Sequence, residues 1–353
     1  MQKTPVSLTH GGDWAGYAAE YGALPVDFSA NISPLGVPAG VKTAIARAAG
    51  TADRYPDPLC RALCGAITAA EGLPDGCCLC GNGAADLIFR VAAARRPRKA
   101  LVVSPTFAEY ESALHTVGCT VERYRLKENF RLDEDFLTAI VPGVELVFLC
   151  EPNNPTGLTT PRALLLQILS RCRAVGALLV ADECFHDFLD APAAHSLESE
   201  LSDFDNLLIL RAFTKLYAMA GVRLGYCLCG DAGLLAALRA AGQPWAVSSL
   251  AQAAGLAALR ETAYVDRVRA LLALERPRLA AALEGLGLRV VPGEANYLLF
   301  QCQTPLLPPL RQRGILLRSC ANYENLDGSW YRAAVRTRAE NDTLIAALGE
   351  VLG

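Results

Sequence analysis

The 353-residue chain lacks long apolar segments and any excess of charge of one sign. No apolar run reaches the roughly 18 residues of a membrane span without a glycine, charge or turn residue interrupting it, and the first residues lack the apolar core of a signal peptide. Lys and Arg number 33 against 36 Asp and Glu, and no basic stripe or block of like charge occurs. These absences predict a cytoplasmic protein that binds neither nucleic acid nor membrane.

Metal-binding motifs are also missing, although the chain has 13 cysteines. Most of them are scattered through apolar or helix-like runs, where a free thiol behaves as a small hydrophobic group. The one sequence cluster, Cys77, Cys78 and Cys80, lacks a second CxxC motif or a histidine pair at zinc spacing. The sequence therefore predicts reduced core thiols and no metal site, and it gives this cluster no role.

The pattern of apolar runs predicts an α/β fold with two domains and an N-terminal arm. From Lys99 onward, strand-like Val/Leu/Ile runs alternate with helix-like runs, which is typical of a mostly parallel sheet covered by helices on both faces. After Gly230 come long helical runs and then short strands, which indicate a smaller α+β domain. We expect Pro277 to interrupt the helical run 248–286. The predicted divisions are an arm at 1–36, a large domain at 37–240 and a small domain at 241–353.

Three polar or aromatic residues follow predicted strands of the large domain. Phe107 follows ALVVSP, Asn154 lies in a Pro/Gly turn after LVFLC, and Asp182 ends ALLVAD. Ligands of parallel sheets bind beyond the carboxyl ends of the strands. There an aromatic ring can stack on a ligand ring, an amide can donate to a phenolic oxygen, and a buried carboxylate can pair with a protonated pyridine nitrogen. Core packing or turn formation would explain each residue taken alone.

One lysine follows the strand-like run 207–210 in a small polar turn. Thr214 precedes Lys215, and Arg223 lies eight residues further on. Lysine forms Schiff bases, and burial lowers its pKa enough to make it nucleophilic. Asp182 is 33 residues earlier, a distance that one strand and its crossover can span. The sequence therefore predicts that the lysine and the carboxylate reach one cleft.

Several further residues are candidates for binding anions. Gly83 and Ala84 lie where a glycine loop enters a helix, an arrangement that presents backbone N–H groups to phosphate. His10 precedes two glycines, and Asn31 lies between small residues. Arg318 and Arg336 lie in or at the end of apolar strand-like runs, where an unpaired guanidinium is costly. Both arginines are therefore candidates for binding an anion.

With Asn154, Asp182, Thr214, Lys215 and Arg223 in this order, the whole chain resembles the class I/II aminotransferase family of fold-type I pyridoxal-phosphate (PLP) enzymes. Within the family, the segments HGG, RYPDP, EPNNPTGL and RSCANY resemble the threonine-phosphate decarboxylase branch. That branch serves cobalamin biosynthesis and is related to the histidinol-phosphate aminotransferases. The resemblance implies PLP as cofactor, a homodimer and an amino acid phosphate as substrate.

The resemblance also implies a role for each candidate residue. Lys215 carries the cofactor, Asp182 keeps its pyridine nitrogen protonated, Asn154 donates to its phenolate, and Phe107 stacks on its ring. The residues implied to hold the cofactor phosphate are Gly83, Ala84, Thr214, Arg223 and, from the neighbouring subunit, Tyr55. The residues implied to contact substrate are Asn154, Arg336 at the carboxylate, and His10, Asn31 and Arg318 at the phosphate.

The implied reaction converts L-threonine O-3-phosphate into (R)-1-aminopropan-2-yl phosphate and CO₂, and three alternatives stay open. A histidinol-phosphate or aromatic transaminase would use the same lysine with an oxo-acid acceptor. L-serine O-phosphate differs from the threonine compound by one methyl, which a pocket distinguishes by only about 1–3 kcal/mol. A cofactor-sensing regulator would need a DNA-binding module, which the short arm does not supply. The sequence leaves open whether the arm closes over the substrate as a lid.

Overall fold

The computed structural model describes residues 10–353. The helices in this range are α1 (Trp14–Tyr21), α2 (Ala39–Ala49), α3 (Arg61–Glu71), α4 (Ala84–Arg95), α5 (Glu109–Thr116), α6 (Arg162–Val175), α7 (Phe213–Leu216), α8 (Ala232–Ala240), α9 (Ser249–Ala258), α10 (Thr262–Gly285), α11 (Leu307–Gln312) and α12 (Arg338–Leu352). The strands are β1 (Val26–Asp27), β2 (Cys78–Gly81), β3 (Lys99–Ser104), β4 (Thr120–Arg125), β5 (Leu146–Cys150), β6 (Leu178–Asp182), β7 (Leu207–Ala212), β8 (Gly225–Cys229), β9 (Arg289–Val290), β10 (Tyr297–Gln301), β11 (Ile315–Leu316), β12 (Arg318–Ser319) and β13 (Trp330–Ala334). No helix in this range is long and apolar enough to cross a membrane.

The large sheet has seven strands in the order β2-β8-β7-β6-β5-β3-β4. Strands β3 to β7 pair in parallel, whereas β8 runs antiparallel to both of its neighbours. Every residue of β5, β6 and β7 is buried, as expected for strands covered on both faces. The prediction of a mostly parallel sheet in an α/β fold is confirmed.

Alternate residues of the central strands enter two separate cores, one on each face of the sheet. In β5, Val147 and Leu149 pack with residues of α3, α6 and α9, whereas Leu146 and Phe148 pack with α4, α5 and α8. This alternation follows from the two-residue period of a strand. Because both faces are covered, the carboxyl ends of the parallel strands are left to form a ligand site.

The C-terminal part contains an antiparallel sheet in the order β12-β13-β10-β9, packed against α10 and α12. The arm joins this part, because β1 pairs in parallel with β11. The arm contains α1, which Asp13 caps at its start and Gly22 ends in the left-handed conformation. The Tyr17 hydroxyl donates to the Arg311 carbonyl and fixes α1 against α11.

One prediction about the helical run 248–286 is wrong. Pro277 lies inside α10 without ending it, and the break falls instead between α9 and α10. Proline removes one backbone hydrogen bond, but Leu272 and Leu279 are fully buried on either side and hold the helix in place. In addition, α9 packs with the core of the large sheet and α10 with the core of the C-terminal sheet. The division of the domains at residue 240 stays a prediction.

Candidate active site

Two adjoining cavities lie at the carboxyl ends of β5, β6 and β7. The inner cavity, of about 130 Å³, is lined by the ends of these strands and by Lys215. The outer cavity, of about 410 Å³, opens toward the arm and shares Phe107, Asn154, Phe185, Lys215 and Arg223 with the inner one. Together they fall within the size range of small-molecule sites.

Lys215 lies at the junction of the two cavities. It belongs to α7, which begins directly after β7, and its ammonium lies 5.5 Å from the centre of the Phe185 ring. Burial, together with the positive charges of Arg332 and Arg223, lowers the pKa of Lys215 to about 8. Part of the amine is therefore neutral near physiological pH, and the neutral form is the one that attacks a carbonyl group.

Asp182 ends β6 on the floor of the inner cavity. One carboxylate oxygen accepts a hydrogen bond from the Tyr110 hydroxyl at 2.6 Å, and the other accepts from the Cys184 backbone N–H at 3.1 Å. Burial raises the pKa of Asp182, and these donors counteract the effect. A buried carboxylate with two donors fits a cationic ligand group such as a protonated pyridine nitrogen.

Arg223 and Ala84, the first residue of α4, line one part of the inner cavity, and Gly83 lies directly before Ala84 against the Arg223 guanidinium. Gly83 has φ +84°, and a Cβ atom there would lie 2.7 Å from an Arg223 nitrogen. A Cβ atom on Gly225 would lie 2.5 Å from the backbone nitrogen of Ala84. Thr214 lines the same cavity. A helix N-terminus, a hydroxyl and a guanidinium in close contact fit a phosphate group.

Phe107 and Asn154 line both cavities, as the sequence predicts for residues beyond strand ends. Phe107 makes an edge contact with Tyr110, with ring centres 5.6 Å apart. The Asn154 side-chain oxygen accepts from Arg332 at 2.5 Å. Because arginine has only donors, this contact fixes the amide orientation and leaves the Asn154 NH₂ group available to a ligand.

The structure brings His10, Asn31 and Arg318 together at the outer cavity. His10 contacts Glu109 at 2.6 Å, and Arg318 donates to Asn322 at 2.7 Å. Asn31 is buried, and neither polar atom of its side chain has a hydrogen-bond partner among the described residues. A buried amide without partners is costly, so this position fits a polar ligand.

The structure corrects the prediction for Arg336, which lies outside both cavities. Its guanidinium pairs with Glu340 and donates to the Asp27 carbonyl, so its charge is already compensated. Arg332 lines the outer cavity instead and donates to Asn154 and the Ser29 carbonyl. Within the part of the chain that the structure describes, no carboxylate forms an ion pair with Arg332. A substrate carboxylate would supply the missing negative charge.

Tyr55 does not reach either cavity of its own chain. Its side chain is 81% exposed and stacks on Trp245, with ring centres 4.6 Å apart. The structure therefore leaves the implied role of Tyr55 in a second subunit as a prediction.

Sequence reasoning missed Arg332 and Tyr110. Arg332 occurs in the same YRAAVR segment as Arg336, and its position within a strand was the available signal. Tyr110 lies in the first turn of α5, three residues after Phe107, and this nearness in the sequence was the available signal. Tyr110 contacts Asp182 and Arg332 contacts Asn154, two candidate residues that line the inner cavity.

A larger cavity, of about 820 Å³, lies away from Lys215. Its central charged residue is Arg211, which pairs with Glu71, Glu183 and Glu198 at 2.7–2.9 Å. The buried guanidinium and carboxylates compensate one another, as buried charges must. This cavity has no nucleophile comparable to Lys215, and we assign the chemistry to the cavities around that lysine.

Comparisons with known proteins agree with this geometry. The family model "Aminotransferase class I and II" matches residues 25–348. The threonine-phosphate decarboxylase of Salmonella typhimurium is 41% identical over 352 residues, covering 97% of this chain and 96% of the relative. A histidinol-phosphate aminotransferase of Desulfitobacterium hafniense is 35% identical, covering 93% and 92% of the two chains.

Solved structures show the same fold. The histidinol-phosphate aminotransferase of Sinorhizobium meliloti in complex with pyridoxal-5'-phosphate has a TM-score of 0.87 at 25% identity, covering 99% of this chain and 97% of that one. The L-threonine-O-3-phosphate decarboxylase of Porphyromonas gingivalis has a TM-score of 0.82 at 24% identity, with 93% and 99% covered. The chain therefore belongs to the class I and II aminotransferase family of PLP-dependent enzymes.

Proposed function

We propose that the protein decarboxylates L-threonine O-3-phosphate, with PLP as cofactor, and releases (R)-1-aminopropan-2-yl phosphate and CO₂. The observation that carries this proposal is the pair of buried arginines at the outer cavity. Arg332 lies beside Asn154, and Arg318 lies with His10 and Asn31. Two guanidiniums at one cavity suit a substrate with two anionic groups, a carboxylate and a phosphate. The 41% identity to a threonine-phosphate decarboxylase supports the same choice.

The described residues have the chemical groups that PLP requires. Bound PLP supplies an electron sink for the bond that is broken at the substrate α-carbon. Lys215 would hold the cofactor covalently through its neutral amine, and Asp182 would keep a proton on the pyridine nitrogen. Gly83, Thr214 and Arg223 would bind the cofactor phosphate.

The remaining residues would orient the substrate. Arg332 would bind its carboxylate, and His10, Asn31 and Arg318 would bind its phosphate. Lys215 lines both cavities and would deliver the proton that replaces CO₂ at the substrate α-carbon. Phe107 and Phe185 would cover the cavity and limit access of water.

We further propose that the protein works as a homodimer in the cytoplasm and serves cobalamin biosynthesis. The exposed Tyr55 and Trp245 form an aromatic patch, and exposed aromatic residues are enriched at protein interfaces. In the dimer, Tyr55 would reach the cofactor phosphate of the second subunit.

A histidinol-phosphate transaminase is the second candidate, because relatives with that name are 31–36% identical. The same arginines could bind the carboxylates of an amino-group donor. The two reactions differ in which bond of the α-carbon is broken, and only decarboxylation proceeds without an oxo-acid acceptor.

Single-substrate turnover tests the proposal. PLP-loaded protein is incubated with L-threonine O-3-phosphate and no oxo acid, and CO₂ release is followed, with Lys215→Ala as the control. We expect many turnovers by the wild type, none by the variant, and slower turnover of L-serine O-phosphate. Absence of CO₂, together with conversion of the cofactor to its amine form by histidinol phosphate, would make the protein a transaminase.

A further inference from the structure

Four cysteines converge on one face of the large sheet, beside the loop that leads to Gly83. Cys60 caps the start of α3, and Cys64 follows one turn later on the same helix. Cys78 and Cys80 are two residues apart on β2 and point to one face, while Leu79 enters the opposite core. The fold therefore brings together two pairs that are separated in the sequence. Cys77, which belongs to the sequence cluster, is not part of this group.

The sulfur atoms are close enough to share one ion. Cys64 Sγ lies 3.6 Å from Cys80 Sγ, and the sulfurs of Cys64, Cys78 and Cys80 all lie within 4.8 Å of one another. Cys60 lies four residues before Cys64, at the start of the same helix, and is buried in the same core as Cys78 and Cys80. Ligands at zinc–sulfur distances of about 2.3 Å in a tetrahedron lie about 3.8 Å apart, so the observed spacing requires little movement.

The arrangement differs from that of core thiols that only fill space. Three of the four cysteines are buried, whereas Cys64 is partly exposed and provides a path for an ion. Packing alone requires one small apolar group per position and does not require three sulfurs within 4.8 Å of one another.

We propose that Cys60, Cys64, Cys78 and Cys80 bind one thiophilic divalent cation of the zinc type. All-sulfur tetrahedral ligand sets select zinc among the common divalent ions. The ion would displace the thiol protons and join the start of α3 to the end of β2. The start of α3 follows Tyr55 in the sequence, and the end of β2 precedes Gly83, so the ion would lie close in sequence to both candidate phosphate-binding positions. The proposal concerns a structural site and is independent of the reaction that the enzyme catalyses.

Zinc titration of the reduced, metal-stripped, full-length protein tests the site. We expect one Zn²⁺ per chain, and Co²⁺ in its place to give the visible spectrum of a tetrahedral thiolate site. Cys64→Ser and Cys80→Ser should each lower the zinc affinity at least tenfold. Cys302→Ser, which changes a buried cysteine of the small domain, should leave it unchanged. Equal zinc binding by all variants, or none by the wild type, would overturn the proposal.

Alkylation of the unmodified protein provides a test that does not depend on the folding of variants. Cys64 and Cys77 are both partly exposed, but only Cys64 belongs to the proposed site. Zn²⁺ should slow alkylation of Cys64 at least tenfold and leave the rate at Cys77 unchanged. Equal rates at Cys64 with and without zinc, or a Cys64–Cys80 disulfide in protein isolated without reductant, would contradict a metal site.

Discussion

Arg332 donates a 2.5 Å hydrogen bond to the side-chain oxygen of Asn154 and so fixes which end of that amide faces the cavity. One residue thus serves two purposes in the proposed site. Its guanidinium faces the substrate end, and through Asn154 it orients a donor toward the cofactor end. Substitution at Arg332 should therefore affect both ligands.

We expect Arg332→Gln to lower kcat/KM for L-threonine O-3-phosphate about 10²- to 10³-fold. The substitution removes the proposed ion pair between Arg332 and the substrate carboxylate, and truncating one partner of a buried charge pair costs about 2–5 kcal/mol. The neutral side chain would also hold Asn154 less firmly. Steady-state kinetics measures the effect, and Arg336→Gln is the matched control. The control should change kcat/KM less than about threefold, since Arg336 pairs with Glu340 outside the cavity. The reverse order of effects would restore Arg336 as the carboxylate ligand.

The comparison of these two arginines shows what the sequence could predict. The two arginines are four residues apart in WYRAAVR and would lie on the same strand face if the strand continued. The strand ends at Ala334, however, because Thr337 and Glu340 form a capping box that begins α12. Only the register of β10 with β13 shows which arginine remains in the sheet. Local patterns predicted the type of residue correctly but not its position.

The cysteine pairs and the Lys215 segment show the same difference between what a local pattern predicts and what depends on the tertiary structure. Lys215, Thr214 and Arg223 lie within ten residues of one another, and their order alone indicated a shared site. Cys64 and Cys80 are joined only by the packing of α3 on β2, which leaves no spacing signal in the sequence. Contacts between distant segments depend on the tertiary structure and were for that reason missed.

The lowered pKa of Lys215 gives a pH dependence for cofactor attachment. The neutral amine predominates above the pKa, so the rate of covalent PLP attachment to the apoprotein should rise with pH, with a midpoint of about 8, and then level off. Trapping the product by reduction and mapping the modified peptide measures this rate. Lys42 is exposed, so the labelling of its peptide measures how fast a lysine outside the cavity reacts. A midpoint near 10.4, typical of a solvated lysine, would contradict the burial argument.

Tyr110→Phe should weaken PLP binding about tenfold, because a hydrogen bond to a charged group contributes about 1.5–3 kcal/mol. The Tyr110 hydroxyl stabilises the ionised form of Asp182, so its loss should raise the pKa of Asp182 and move the acidic limb of the kcat profile to higher pH. Tyr124→Phe removes a comparable contact with Asp133, outside the residues that line the site, and serves as the control. An unchanged acidic limb in Tyr110→Phe would show that Tyr110 has only a packing role.

Gly225→Ala tests the close approach of β8 to the proposed phosphate site. The added methyl would lie 2.5 Å from the Ala84 nitrogen and push the start of α4 away. We expect a loss of stability of about 1–3 kcal/mol, as for overpacked positions, and at least tenfold weaker PLP binding. Gly221→Ala, four residues earlier, has no atom within 4 Å of the new methyl and should change neither quantity. Equal effects of the two substitutions would contradict the steric argument.

The proposed dimer predicts complementation between two inactive or impaired variants. Lys215→Ala lacks the lysine, and Tyr55→Ala lacks the residue that would reach the partner's cofactor. A mixed dimer would contain one site with both native residues. Unfolding the two variants, mixing them and refolding them together should therefore recover more activity than either variant has alone. Measurement of molecular mass in solution checks the dimer itself. A monomer, or no recovery in a proven mixed dimer, would place Tyr55 outside the active site.

The pairing of β2 with β8 has a consequence for the order in which the protein folds. β2 is the first strand of the large sheet along the chain, yet its only sheet neighbour is β8, which lies more than 140 residues later. Such a contact forms late, because a long loop must close before the pairing stabilises it. During synthesis, the glycine loop at Gly83 therefore lacks its supporting strand until residue 229 has left the ribosome. PLP can bind productively only after that point, so the cofactor stabilises a nearly completed fold and does not guide its early steps.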